Sequence, residues 1–163
     1  MELLAQTGPG ELRARASDVL RSKSPEEKYL NHARAVEAIM RELAGAKDDK
    51  DEWGLAGLLH DIDIGTARYD LPRHGIVGAQ ILRDLGFSAP VVHAVSAHDD
   101  HSGLARASRL DHSLYCADQI YWLIAGAGVR FPSEEFNTSV PAAVWEQIQA
   151  MPSKRDILAR VSR

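Results

Sequence analysis

The chain has 163 residues, 19 Lys plus Arg against 23 Asp plus Glu, and a formal net charge of −4, a length that suits one domain and a balance that argues against a dedicated nucleic-acid binder. Its single cysteine, Cys116, excludes an intramolecular disulfide and points to a reducing, cytoplasmic setting. The most apolar stretches, 55–59 and 121–129, fall far short of the roughly 20 residues that a membrane span needs, and residues 1–23 hold no apolar signal-peptide core, so no membrane partner is expected.

In chain order, residues 11–21 carry Leu12, Ala16, Val19 and Leu20 and read as a short amphipathic helix. Ser24-Pro25-Glu26-Glu27 reads as a helix start, with Ser24 as N-cap, Pro25 at the first helical position and Glu27 closing a capping box. Tyr29, Leu30, Ala33, Val36, Ile39, Met40 and Leu43 then form one apolar face, with Gly45 as the expected stop. Asp48 and Asp49 are expected to cap a third helix through Leu59, where an acidic start suits the helix dipole. A fourth helix is expected over about 73–85 with Gly86 after it. A fifth is expected over 89–98, capped by Ser88. A loop is expected over 99–108. A sixth helix follows over about 110–125, with Leu114, Ala117, Ile120, Tyr121 and Ile124 inward. Gly126, Gly128, Pro132 and Pro141 mark an irregular segment, and two short helices are expected at 140–151 and 153–161. No stretch alternates as a strand would, so the class is all-α. The organisation expected is a lead-in over 1–24, a domain over 25–130, and a helical extension over 131–163 packed on that domain.

Seven histidines are the unusual feature of the composition. His32, His60 with Asp61, His74, His98 and Asp118 fall on five expected helices, several of them among apolar neighbours such as Leu58-Leu59-His60-Asp61-Ile62. Each alone has an ordinary reading: His32 as a satisfied core or surface histidine, Asp118 as a salt-bridge residue, Asp61 and His74 as helix-end residues. Together they mean more. Buried imidazoles and carboxylates are costly unless paired or bound to metal, and convergence from several helices is how bundles build metal sites.

At Leu59-His60-Asp61-Ile62 the chain resembles the HD superfamily of metal-dependent phosphohydrolases, whose pattern is a His, then an adjacent His-Asp pair, then a distant Asp, all on helices. His32, His60-Asp61 and Asp118 match that order over about residues 28–130. Ile62-Asp63-Ile64-Gly65 is similar to the HDIG subgroup with its Gly two residues late. It is more similar to a small single-domain HDIG-type branch that carries His-Asp-Ile-Asp. The segments 73–79 and 94–98 resemble those holding the extra histidines of the two-metal branches, which include diadenosine tetraphosphate hydrolases and HD-GYP cyclic dinucleotide phosphodiesterases. The Pro signature and longer insert of the latter are absent, which argues against a cyclic dinucleotide.

The resemblance implies an HD-domain helical bundle with a short C-terminal helical extension. It implies that His32, His60, Asp61 and Asp118 hold one metal, and that His74 and His98 hold a second with Asp61 bridging as the catalytic carboxylate. The activity implied is cleavage of a small phosphate ester or nucleotide by a hydroxide activated by one or two metals. Imidazole-rich ligation favours Fe, Mn, Co, Ni or Zn over Mg or Ca. Arg73, just before His74, is the candidate for the substrate phosphate, with Arg68, Arg106 and Arg109 as further cations near the expected site. Asp63 is expected to orient a bound water or a ligand histidine. His101 is a spare ligand, a proton donor or a solvated loop residue. His93 and His112 are structural or surface residues. Cys116, about 200° round the helix from Asp118, is expected to be a small core residue pointing elsewhere. Two rivals remain: a mixed-valence di-iron oxygenase with the same six ligands, and a sensory module that holds metal without turnover. Residues 131–163 either cover the site or form a homodimer contact, and specificity is expected from loops 62–73, 99–109 and 126–139.

Overall fold

Helices and short turns make up the described residues, 8–126, of this computed structural model, and no strand occurs among them. The chain is all-α. The helices are α1 (Pro9–Lys23), α2 (Glu27–Leu43), α3 (Lys50–Leu59), the single-turn α4 (Ile64–Ala67), α5 (Ile76–Asp84), α6 (Ala89–Ala97) and α7 (Arg109–Gly126). Two 3₁₀ turns, Leu71–Arg73 and Asp100–Ser102, pack against each other. No described helix is long and apolar enough to cross a membrane.

The middle of the bundle is α3, because every residue from Trp53 to Leu59 is buried. A helix apolar all round must be covered on every side, and α1, α2, α6 and α7 do this. Asp49 caps it as expected, accepting from the Asp51 and Glu52 amides. The core gathers Ile39 and Met40 of α2, Leu58 and Leu59 of α3, Ile62, Leu82 of α5, and Leu114 and Ile120 of α7.

Several expected boundaries shift for local reasons. Ser24 does not cap α2. Its amide donates to the Leu20 carbonyl (2.8 Å), which closes α1, and its buried hydroxyl lies 3.4 Å from the Ile62 carbonyl. Glu26 starts α2 instead, without a side-chain cap. At the other end, Gly45 stays out of the left-handed region and its amide donates to Asp48 (2.6 Å). The helix expected over 73–85 is broken: His74 is extended and Gly75 turns at φ 76° before α5 begins. Gly86 (φ 81°) ends α5 in a left-handed cap, with the Phe87 amide on the Leu82 carbonyl (3.0 Å). Ser88 does precede α6, but its hydroxyl donates to Glu52 rather than capping. The expected loops contain α4 and the 100–102 turn. The start of α7 is a reciprocal cap: Asp111 accepts from the Ser108 amide (2.8 Å) and the Asp111 amide donates to the Ser108 hydroxyl (3.1 Å). The irregular segment after Gly126, the two short helices expected beyond it and the inward side chain expected at Ile124 lie outside the described residues.

Candidate metal centre

Each side chain of the cluster reaches it through a local backbone event. His32 projects from the middle of α2, and Asp118 from α7. His60 and His98 are the residues just past α3 and α6, where helical carbonyls lack an amide partner. Each ring donates its Nδ1 proton back to such a carbonyl, His60 to Gly57 (2.7 Å) and His98 to Val95 (2.7 Å). A carbonyl only accepts, so Nδ1 of each ring carries a proton and Nε2 is the atom each ring turns inward. His74 sits in the extended step before Gly75, and Asp61 in the turn that follows α3.

Six residues converge. His32 Nε2 lies 3.0 Å from His60 Nε2, 3.2 Å from Asp118 Oδ1 and 3.4 Å from Asp61 Oδ2. His60 Nε2 is 3.5 Å from Asp61 Oδ2 and 3.9 Å from Asp118 Oδ1. On the other side, Asp61 Oδ1 is 3.1 Å from His74 Nε2 and 3.5 Å from His98 Nε2. Asp61 therefore turns one oxygen to each pair of imidazoles. All four histidines are buried, while Asp61 and Asp118 keep 14% and 19% of their side chains exposed, which opens the cluster on the carboxylate side.

The electrostatics are strongly coupled. Burial alone would lower the His32 pKa, but hydrogen bonds to Asp118 and Asp61 outweigh it and raise the value to about 9. His74 behaves alike, opposed by burial yet raised to about 10 by Asp61 and Asp63. Burial pushes His60 down to about 4, because it has no carboxylate hydrogen bond of that kind and the nearby Asp61 charge offsets burial only in part. Burial would raise Asp61 and Asp118, yet surrounding imidazoles hold both carboxyls below the usual range, Asp61 well below it.

The donor set fits a cation. His32, His60 and Asp61 form one group, and Asp61, His74 and His98 a second, each with its ligand-type atoms within 4.8 Å of one another. Inward Nε2 atoms of His60 and His98 beside two carboxylates, largely out of water, are the arrangement a divalent transition metal takes up.

The other sequence candidates are placed as follows. Asp63 lies behind His74, fully buried, and accepts from its Nδ1 (2.8 Å). Arg73 is mostly exposed, with Asp70 as its ionic partner at 3.8 Å. Arg68 pairs with Glu26. Arg109 pairs with Asp48 and donates to the Leu43 carbonyl (2.9 Å), which ties α7 to the α2–α3 connection. Arg106 pairs with Asp100 and lies 3.8 Å over the Tyr115 ring. His101 is exposed and pairs with Asp99 (2.6 Å). His112 is exposed, and half-exposed His93 pairs with Asp111 (3.0 Å). Cys116 is half-buried, so it is not the core residue expected.

Sequence reading missed the aromatic packing on His32. Tyr121 meets its ring edge-on at 4.3 Å and Trp122 lies tilted at 5.3 Å. Their positions three and four residues after Asp118 were the available signal.

A family model described as the HD domain matches residues 29–127, a stretch that contains all six cluster residues. An uncharacterized protein of Methanocaldococcus jannaschii is 38% identical over 78 residues, covering 44% of this chain and 45% of that protein. The chain thus spans less than half the length of that relative. No solved structure matches the chain significantly.

Proposed function

The chain belongs to the HD domain family, and from that membership we propose that it is a metal-dependent phosphohydrolase acting on a small phosphate ester or nucleotide. The observation that carries the reading is the orientation of Asp61, with Oδ2 on the His32/His60 side and Oδ1 on the His74/His98 side. One carboxylate shared by two imidazole pairs is what a binuclear centre requires. Iron, manganese, cobalt, nickel or zinc held there would lower the pKa of water to yield a nucleophile at neutral pH and neutralise the charge that develops at phosphorus.

The chain's own groups then have separate tasks. His32, His60 and Asp118 would hold one ion together with Asp61, and His74 and His98 would hold the other, also with Asp61. The Nδ1 contacts to Gly57, Val95 and Asp63 hold three of the rings in orientation. The partly exposed edges of Asp61 and Asp118 face the side from which substrate arrives. Arg73, exposed in the turn before His74, is assigned to the substrate phosphate, with a rise in KM expected for Arg73→Ala.

The test is protein purified without chelator, assayed for metal content and then, loaded with each metal in turn, for phosphate release from a panel of phosphate esters and nucleotides. Bound transition metal is expected, with phosphate release that Asp61→Ala abolishes. Oxygen consumption by the iron-loaded protein without phosphate release would replace this reading by the di-iron oxygenase. Metal bound with no turnover of any kind would replace it by a sensory module.

A further inference from the structure

The three imidazoles with Nδ1 partners are not equivalent. His60 and His98 donate to main-chain carbonyls, whereas His74 donates to a carboxylate. That carboxylate, Asp63, is itself over-determined. Its Oδ1 takes the His74 proton at 2.8 Å, and its Oδ2 takes the Gly75 amide at 2.9 Å and the Gly78 amide at 2.8 Å. Both glycines are built for this. Gly75 stands at φ 76°, and a Cβ there would come within 2.8 Å of the Val95 carbonyl. A Cβ on Gly78 would press on Ile62 at 3.1 Å and on the Asp63 carboxyl carbon at 3.3 Å.

We infer that Asp63 is a positioning residue for the His74/His98 half of the centre: held by the Gly75 and Gly78 amides, it keeps the His74 proton on Nδ1 and thereby sets the affinity of the second metal ion. The inference rests on the binuclear reading above and adds an asymmetry to it. A carboxylate partner makes an imidazole a stronger ligand than a carbonyl partner does.

An asparagine at position 63 has nearly the same shape but inverts the hydrogen bonding. The two glycine amides still need an acceptor, so the asparagine keeps its oxygen on them and turns its NH2 group to His74. His74 must then offer a lone pair at Nδ1, and its proton moves to Nε2. That proton points at Asp61 Oδ1, 3.1 Å away, where a metal ligand's lone pair is needed. The Asp63 carboxylate bonds to His74, Gly75 and Gly78 and not to His32 or His60, so that side keeps its ligands.

Metal-free wild type and Asp63→Asn are titrated with Mn²⁺ by calorimetry and by electron paramagnetic resonance. Wild type is expected to take up two ions and show an exchange-coupled spectrum. The variant is expected to bind the first ion within threefold of wild type and the second about 10–100-fold more weakly, with a mononuclear spectrum persisting past one equivalent. Two ions bound to Asp63→Asn within threefold of wild type would overturn the inference and leave the binuclear reading standing. Fewer than two ions on wild type would overturn both. Should the variant not fold, Zn²⁺-loaded wild type labelled with ¹⁵N-histidine decides. The His74 ring proton on Nδ1, shifted downfield and protected from exchange, is expected, and its assignment to Nε2 overturns the inference.

Discussion

Gly57 of α3 lies so close to Val36 of α2 that a Cβ on Gly57 would stand 2.8 Å from the Val36 carbonyl oxygen and 2.9 Å from the Glu37 backbone. The two helices are in backbone contact, and that contact brings His32 of α2 within 3.0 Å of His60. The Gly57 carbonyl also takes the His60 ring proton, so one residue sets both the spacing and the ring orientation. Gly57→Ala must push α3 off α2. The expected cost is about 1–3 kcal/mol of stability, read as a lower midpoint of urea unfolding, together with weaker metal binding in the fraction still folded. Unchanged stability would mean that the helices separate freely.

A chain that binds metal only when folded is stabilised by metal. At a free ion concentration of 100 Kd the gain is about 2.7 kcal/mol, or about 5–10 °C in Tm for a chain of this length. Thermal melts with and without Mn²⁺ should show that rise in wild type, reversal by chelator, and no rise in Asp61→Ala, which removes the oxygens that both halves share. An equal rise in the variant would show that the ion binds elsewhere.

Glu37 is a buried carboxylate in α2 whose charge is met from two sides. Arg13 of α1 reaches it with Nε at 2.6 Å and Nη2 at 2.8 Å, and Arg41 with Nε at 3.2 Å. Removing one partner of a buried pair costs more than removing both. Arg13→Ala is expected to cost about 3 kcal/mol, because Arg41 alone then serves Glu37. The double variant Arg13→Met, Glu37→Leu should be more stable than that single one. Urea midpoints of the set measure this, and a double variant worse than Arg13→Ala would contradict it.

Asp111 supplies the pH dependence. Burial pushes its pKa up, but the Ser108 and Ala107 amides and His93 outweigh burial and hold it below the ordinary value. A carboxyl with a lower pKa folded than unfolded stabilises fully above the unfolded value of about 3.9, and that contribution is lost as pH falls towards the folded value. Asp111→Asn should therefore cost about 1–2 kcal/mol at neutral pH, in line with a lost helix cap. The gap between variant and parent should narrow as pH drops from 5 to 3. Urea unfolding of both proteins across that range measures the gap, and a gap independent of pH would assign the effect to packing alone.

Much of this was legible in the residues. The apolar stripe of α2, the Asp49 cap of α3 and the order His32, His60-Asp61, Asp118 are local facts, and local facts survive into the fold. Others misled because a neighbour competed for the same atoms. Ser24 has every mark of an N-cap, yet its amide is consumed by α1 and its hydroxyl turns to Ile62. The apolar spacing over 73–85 suggests one helix, but Gly75 turns at positive φ, where its amide meets Asp63. The Ser108–Asp111 cap was readable from its Ser-x-x-Asp spacing and was missed. Arg68, Arg106 and Arg109 all look available for a phosphate in sequence, and each proves to have an acidic partner in the fold.

What the sequence determined by itself was the helical class and the list of ligand-type side chains in their order. Periodicity, capping preference and the cost of placing histidine and aspartate among apolar neighbours all act over a few residues. The tertiary structure alone decided that Asp61 faces both imidazole pairs, that Asp63 stands behind His74, and where the arginine charges are spent. Those outcomes depend on backbone contacts between distant segments, such as Gly57 on Val36 and Gly75 beside Val95, and on the exclusion of water from the space they enclose.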